Sequence, residues 1–373
     1  MRAPGTHLYG WIAAWLDPAD AEQVAWPLLA DVQAEWSQAA QSGDRRRAVA
    51  IRLAGYFQLL RACLAVGATR RWRETRRLEL RKIFPLLLVG LLGAWMIYWG
   101  RLGASRGPSQ LVYLAMGFAS ALGAATTSPR QLRLLAPVFA GVSLLVLAAV
   151  PLIGARHGGT GRWLQYGGLF FHAALLVMPL IFVGLARIAH RPLWFSGLLA
   201  AVLVLLGLQP NLPATGIVAV GAVAMAWLSP SARPSLAPAV LLSAGGVGVA
   251  VALAPTTYAA QSFEILTGHL LDRGLVFVLA SGLGLAWLAW TSWTLARDAA
   301  RPSRRDGFRA RLGLGCAIGL PAQVLVLTVA DGAMPLLTYG GTATLAMFVT
   351  LGLALAARQP ERVLPATTLS ALR

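Results

Sequence analysis

The chain has 373 residues, of which 57% are apolar and only 12% are charged, and its mean hydropathy is +0.65. A soluble globular domain is about 45–50% apolar and about 25% charged, so this composition excludes an ordinary soluble enzyme. A net charge of +18 on so apolar a chain indicates a membrane protein oriented by its arginines, and not a nucleic-acid-binding protein. The two cysteines, Cys63 and Cys316, form no metal-binding motif.

Residues 1–83 form a more polar region with 13 basic and 8 acidic residues, and no apolar run reaches the roughly 20 residues that span a bilayer. Apolar residues recur at helical spacing near residues 11–15, 20–36 and 45–66, which predicts a cytoplasmic prefix that is either a small helical hairpin or a unit of three short helices. Its arginines could rest on anionic lipid headgroups, and binding of a partner or a plain helical prefix are the alternatives. The third predicted helix places these residues along one side: Ile51, Leu53, Tyr56, Leu59, Leu60 and Leu64.

Residues 84–358 are predicted to form ten transmembrane helices, so the predicted fold class is an all-α polytopic membrane protein. Residues 359–373 are predicted to be a cytoplasmic tail. Pro210 and Pro213 separate the fifth helix from the sixth, because proline breaks a continuous helix. The predicted spans cover residues 84–100, 109–127, 133–154, 167–187, 193–208, 211–229, 236–255, 274–296, 311–331 and 338–357.

The placement of the basic residues predicts the orientation of these spans. With both termini in the cytoplasm, the inner segments from Arg70 onwards carry 21 basic residues and the outer loops carry five. Basic residues are enriched in the cytoplasmic loops of membrane proteins. The sequence therefore predicts a multi-pass protein with both termini inside.

The predicted outer face gathers charged residues that the spans lack. Arginine binds phosphate oxygens through paired hydrogen bonds, and a carboxylate can take the proton of a sugar hydroxyl as that oxygen attacks. This chemistry suits the transfer of a sugar from a lipid pyrophosphate, and it equally suits binding of a lipid headgroup without reaction. The residues concerned are Glu264, Asp272 and Asp331, with Arg156, Arg162 and Arg273.

Three of the outer segments resemble, in their order along the chain, motifs of the SEDS family, the FtsW, RodA and SpoVE type of membrane glycosyltransferase. Residues 161–171 (GRWLQYGGLFF) are similar to the family's Arg-Trp loop before its fourth span. Residues 208–215 (LQPNLPAT) are similar to its Gln-Pro-Asp-Leu-Gly-Thr segment, and residues 334–342 (MPLLTYGGT) to its Ser-Tyr-Gly-Gly-Ser segment. The resemblance covers residues 84–358 and leaves the first 83 residues outside it.

The resemblance implies a protein of the bacterial cytoplasmic membrane that polymerises lipid II at the outer face together with a class B penicillin-binding protein. The family's essential aspartate is matched by Asp272, which follows His269 in the loop between spans seven and eight. No metal site and no nucleic-acid partner are predicted, although a divalent cation at the pyrophosphate is compatible with this chemistry. The predicted substrate-binding residues are Arg162, Trp163, Arg273, Gln209, Tyr339, Gly340 and Gly341.

The sequence also departs from the family's pattern. Leu175 and Met178 occupy the positions of a paired Glu and Lys in the fourth span, and Asn211 replaces an aspartate. Two alternatives therefore stay open: a non-catalytic relative that binds a lipid-linked sugar or a penicillin-binding protein, and a transporter of lipid-linked precursors. His172 opens the fourth span, and we expect a buried imidazole with its hydrogen bonds made there.

Overall fold

The computed structural model describes residues 21–42, 44, 46–59, 61–62, 80–99, 106–157, 160–166, 169–209, 211–253, 275–300, 307–331 and 341–358. The chain divides into two compact units. Unit 1 comprises residues 1–78 and 360–373, and unit 2 comprises residues 79–359. The first predicted helix, near residues 11–15, lies outside the described residues.

Unit 1 contains two packed helices. A π-helical turn, Ala21–Ala25, leads into α1 (Trp26–Gln41), and α2 covers residues 46–59. Their buried contact includes Leu29 and Leu59. Asp44 accepts a hydrogen bond from the backbone N–H of Arg47 at 2.9 Å, which caps the start of α2.

The packed side of α2 differs from the predicted one. Gly55 faces Val32 of α1, where an added Cβ would lie 2.5 Å from a Val32 methyl carbon, so the absence of a side chain allows the helices to approach closely. This contact turns Ala48, Gly55 and Leu59 inward. Leu53, which the sequence placed with the other apolar residues on one side, is instead 66% exposed.

Unit 2 contains ten α-helices within its described residues, each of which overlaps one predicted span, and a short 3-10 helix, Pro230–Ser235, precedes the seventh of them. The predicted all-α polytopic membrane fold is thereby confirmed. Among the described residues, three helices are long and apolar enough to cross a membrane, and six more are apolar but shorter. The ten helices are α3 (Leu80–Trp99), α4 (Arg106–Thr126), α5 (Pro129–Ile153), α6 (Ala173–Ile188), α7 (Pro192–Gly207), α8 (Leu212–Leu228), α9 (Leu236–Leu253), α10 (Leu275–Ala300), α11 (Gly307–Asp331) and α12 (Gly341–Ala356).

Glycines set the closest helix contacts in unit 2. The ring of Phe182 in α6 is fully buried, and an added Cβ at Gly319 of α11 would lie 2.7 Å from it. Gly352 of α12 lies directly against the backbone carbonyl oxygen of Ala121 in α4. Small residues of this kind let membrane helices pack backbone to backbone, where lipid provides no hydrophobic drive for association.

A small antiparallel sheet interrupts the helical pattern between α5 and α6. Its strands are β1 (Ala155–His157), β2 (Thr160–Tyr166) and β3 (Leu169–His172), in that order. Aromatic residues favour strands, and the Gly167-Gly168 dipeptide between β2 and β3 suits a hairpin connection. The fourth span was predicted to begin at residue 167, and the sheet delays the start of α6 to Ala173.

Arginines join the helix ends on one side of unit 2, which we call the arginine-rich end: the starts of α5 and α11 and the ends of α6, α10 and α12. Arg311 is 5% exposed, and it donates from Nε to the carbonyl oxygen of Ala186 at 2.7 Å and from Nη1 to Ser231 Oγ at 2.8 Å. Arg309 Nε donates to the carbonyl oxygen of Ala357 at 3.1 Å. These cations therefore cap the C-termini of α6 and α12, where the helix dipole favours positive charge.

Candidate functional site

The sequence motifs lie at the opposite side of unit 2, which we call the motif end. The chain passes from α5 to α6, and from α7 to α8, at this end. The helices α5 and α7 therefore finish here, and α6 and α8 begin here. Two contacts described below place the starts of α4 and α12 at the same end. Among the described residues, the arginines that cap helix C-termini, Arg309 and Arg311, lie at the arginine-rich end.

The sheet at the motif end fixes Trp163 against His172. The two residues are paired across strands β2 and β3, and their rings meet edge to face with centroids 5.1 Å apart. His172 is 3% exposed, and its Nδ1 accepts the backbone N–H of Leu175 at 3.4 Å. His172 therefore caps the start of α6. Its imidazole is buried as expected, and of its two ring nitrogens Nδ1 makes this capping hydrogen bond.

Thr342 joins this sheet to the start of α12. The backbone N–H of His172 donates to Thr342 Oγ1 at 3.2 Å, and the threonine is buried. His172 directly follows the Arg-Trp segment, and Thr342 ends the Tyr-Gly-Gly segment. These two segments therefore meet in space although the bonded residues are 170 positions apart in the sequence. Two of the three sequence motifs thus contribute to one cluster.

A second polar contact at the same place was not predicted. Gln110 of α4 donates from Nε2 to Thr344 Oγ1 of α12 at 3.4 Å, and both side chains are fully buried. Gln110 Oε1 has no hydrogen-bond partner within the part of the chain that the structure describes. The available signal was a glutamine near the start of an apolar helix, which is costly in a membrane unless it is paired.

Gln209 has a structural contact in addition to its predicted role in substrate binding. Its side-chain Nε2 donates to the carbonyl oxygen of Leu147 in α5 at 2.8 Å. In a regular helix this oxygen would accept from the N–H of residue 151, but Pro151 has none. Gln209 supplies the missing donor and so ties the end of α7 to α5.

Asn211 begins α8 in the same region. Its Oδ1 accepts the backbone N–H of Ala214 at 3.3 Å, and its carbonyl oxygen accepts from Thr215 Oγ1 at 2.8 Å. Asparagine caps a helix as well as aspartate does. The replacement of the family's aspartate by Asn211 therefore preserves the local structure while removing a charge.

The other predicted site residues are described in part or lie outside the described residues. Gly341 is the first residue of α12, and Arg162 lies in β2, where its side chain is not described. Asp331 ends α11, and its side chain is likewise not described. Outside the described residues lie Asp272, Arg273, Tyr339, Gly340 and Glu264.

The positions that carry charge in the resembled family are apolar and buried in this chain. Leu175 and Met178 both lie on the inward side of α6 and are at most 4% exposed. They belong to the same packed core as Phe182. Within the described residues, no three His, Cys, Asp or Glu side chains are grouped as metal ligands.

A comparison with known proteins gives a matching family model and solved structures of similar fold. Residues 104–272 match the model of the family FTSW_RODA_SPOVE, described as "Cell cycle protein". No curated protein sequence gives a significant match.

Solved structures show the same fold. The chain is similar to one from a study of the structural coordination of polymerization and crosslinking by a peptidoglycan synthase complex, with 24% identity, a TM-score of 0.58, and coverage of 74% of this chain and 96% of that chain. It is also similar to the rod shape determining protein RodA of Thermus thermophilus, with 23% identity, a TM-score of 0.61, and coverage of 74% and 95%. A mutant of that RodA with an aspartate replaced by alanine matches with 24% identity and a TM-score of 0.60, over 74% of this chain and 96% of that chain.

Proposed function

We propose that this chain, whose residues 104–272 match the FTSW_RODA_SPOVE family model and whose fold is similar to that of RodA, polymerises lipid II into glycan strands at the outer face of the bacterial cytoplasmic membrane. The observation that carries this proposal is the meeting of Trp163, His172 and Thr342 at the motif end. Two motifs far apart in the sequence meet there, and the sequence predicts that both belong to outer segments, together with the arginines and carboxylates proposed for the chemistry.

The proposed reaction assigns one role to each charged residue. Asp272 takes the proton of an acceptor sugar hydroxyl as that oxygen attacks the anomeric carbon of the donor. The bond between this carbon and the lipid pyrophosphate breaks, and the pyrophosphate leaves with the bonding electrons. Arg162 and Arg273 bind the pyrophosphate oxygens, while Tyr339, Gly340 and Gly341 shape the cavity.

Orientation and partner follow from the same proposal. The motif end faces outward and both termini face the cytoplasm, as the positive-inside bias requires. The partner is a class B penicillin-binding protein, which is supported by the likeness to a chain of a peptidoglycan synthase complex. Such a partner would crosslink the strands that this chain makes.

A polymerisation assay tests the proposal. The purified chain, with its cognate penicillin-binding protein, is given fluorescent lipid II, and glycan length is measured by gel electrophoresis. We expect polymer from the wild type and from Asp298→Asn, a carboxylate paired with Arg358 at the arginine-rich end. We expect at least a hundredfold less from Asp272→Ala, because proton transfer contributes about 10²–10⁴-fold.

The outcomes separate the function from the site assignment. A folded wild type that makes no polymer with its partner contradicts the proposed function. Equal polymer from wild type and Asp272→Ala contradicts only the role of Asp272, and the same assay is then applied to Asp331→Asn and Glu264→Gln.

A non-catalytic function is the second candidate, and a specific observation favours it. Leu175 and Met178 replace charged residues and are packed into the core. Exchange of a buried charged pair for apolar residues can leave a fold intact while removing a contact to substrate. In that case the chain would bind the lipid-linked sugar or the penicillin-binding protein, and lipid II binding would be measurable without polymer.

A further inference from the structure

One face of α2 in unit 1 is apolar and exposed. Val49, Leu53 and Phe57 are 57%, 66% and 69% exposed, and they follow one another at intervals of four residues. Residues at this spacing lie on the same side of a helix. We call these three residues the apolar stripe of α2.

The apolar stripe lies opposite the packed face of α2. Gly55 and Leu59 face α1, and a helical rotation of 100° per residue places Leu53 about 160° around the axis from Gly55. The exposure is therefore built into the helix and is not the edge of the contact with α1. A helix that presents large apolar groups on its free side carries an unfilled binding surface.

Basic residues surround the apolar stripe. Arg46 lies at its start and Arg61 beyond its end, and Arg47 and Arg52 lie on its flanks; all four are exposed. Residues 46–62 contain no acidic side chain, so this stretch carries a charge of +4. An apolar face bordered by arginines matches the interface of an anionic bilayer, where acyl chains lie beneath negative headgroups.

The sequence that follows α2 is also basic. Residue 62 and Leu80, the first residue of α3, are separated by 17 residues. These 17 residues contain five arginines and two glutamates, and their net charge of +3 suits the same anionic surface.

We propose that α2 lies on the membrane surface, with Val49, Leu53 and Phe57 inserted among acyl chains and its arginines on anionic headgroups. This function is separate from the proposed glycan chemistry, since it involves neither the motif end nor any residue assigned to the reaction. Its binding partner is an anionic lipid bilayer. The surface would make the position of unit 1 sensitive to the lipid composition of the membrane.

Site-specific fluorescence in nanodiscs tests this proposal on the full chain. The native cysteines are removed by Cys63→Ser and Cys316→Ala, and a bimane label is attached through Leu53→Cys. A matched control carries the label through Gln38→Cys, an exposed position on α1. Quenching by aqueous iodide is measured in nanodiscs of phosphatidylcholine alone and in discs with equal phosphatidylglycerol.

We expect about threefold protection from iodide at position 53 in the anionic discs, and little in phosphatidylcholine. The label at position 38 should stay quenched in both. Combining Arg46→Gln with Arg61→Gln, two exposed substitutions away from the contact with α1, should remove most of the protection at position 53.

Three results would overturn the proposal. Equal quenching at positions 53 and 38 in anionic discs would show that the stripe stays in water. Equal protection in both lipids, or protection unaffected by the two arginine substitutions, would show that anionic headgroups play no part. Protection found only in discs that hold two chains would identify a second copy as the occupant.

Discussion

The hydrogen bond between Gln209 and Leu147 gives a sharp test of why the motif end has its shape. Substitution of Gln209 by leucine removes the side-chain N–H that donates to this carbonyl oxygen. The oxygen then lies buried beside Pro151, which has no N–H to offer. A buried acceptor left without its partner costs about 1–3 kcal/mol in soluble proteins.

The expected cost is smaller within a membrane protein. Measured side-chain hydrogen bonds between membrane helices average about 0.6 kcal/mol and reach about 1.7 kcal/mol. The distance of 2.8 Å and the 1% exposure of Gln209 place this bond toward the upper value. We therefore expect a loss of about 1–2 kcal/mol, or roughly 2–4 °C in the unfolding midpoint for each kcal/mol lost.

A second substitution turns this loss into a specific prediction. Pro151→Ala supplies an N–H at the position where α5 lacks one, so the carbonyl oxygen of Leu147 regains a donor from its own helix. Gln209→Leu should then cost less than about 0.5 kcal/mol in the Pro151→Ala background. Thermal unfolding in detergent, followed by tryptophan fluorescence, measures all four proteins. An equal loss in both backgrounds would refute the reasoning.

Three further predictions concern packing, capping and protonation. Gly352→Ala should destabilise unit 2 by about 1–3 kcal/mol because the new methyl group meets the backbone of α4. The control Gly123→Ala, which has open space around it, should be neutral or stabilising. Thermal unfolding measures both variants. Arg311→Gln should lower the unfolding midpoint by several degrees through the loss of two buried hydrogen bonds, while Arg297→Gln at an exposed position should not. Partial burial and the neighbouring arginines, Arg311 foremost, lower the pKa of His190 below 6.5. Because the folded protein binds this proton less well than the unfolded chain, the contribution of neutral His190 to the stability of the fold is present above pH 6.5 and is lost as the pH falls through the lowered pKa. NMR titration of ¹³C-labelled histidine should show this low pKa, and the pKa should rise in Arg311→Gln.

Composition and periodicity were sufficient to predict the ten helices of unit 2. Apolar runs in a membrane protein must form helices or closed barrels, because the bilayer offers no hydrogen-bond partners to the backbone. The break predicted from Pro210 and Pro213 agrees with the end of α7 at Gly207 and the start of α8 at Leu212. The start of α6 was predicted too early, since the aromatic residues of β3 read as part of an apolar helix until their pairing with β2 is known.

Contacts between distant residues could not be predicted in the same way. The bond from His172 to Thr342 joins positions 170 residues apart, and no local pattern marks it. The position of Leu53 was predicted wrongly because every apolar residue of α2 was assigned to one side. The packed side of α2 includes Gly55, which allows α1 to approach closely. A prediction from the spacing of apolar side chains gives no weight to glycine, which has no side chain.

The central claim is that the motif end is the external face, where lipid-linked substrate would meet Trp163 and its neighbours. Labelling in intact cells with a membrane-impermeant maleimide tests it through two exposed positions, Gln165→Cys in β2 and Arg233→Cys at the arginine-rich end. Both variants lack the native cysteines, and labelling after membrane permeabilisation gives the total for each. We predict that position 165 is labelled in intact cells and position 233 only after permeabilisation. Labelling of position 233, but not 165, in intact cells would contradict the orientation and the function built on it.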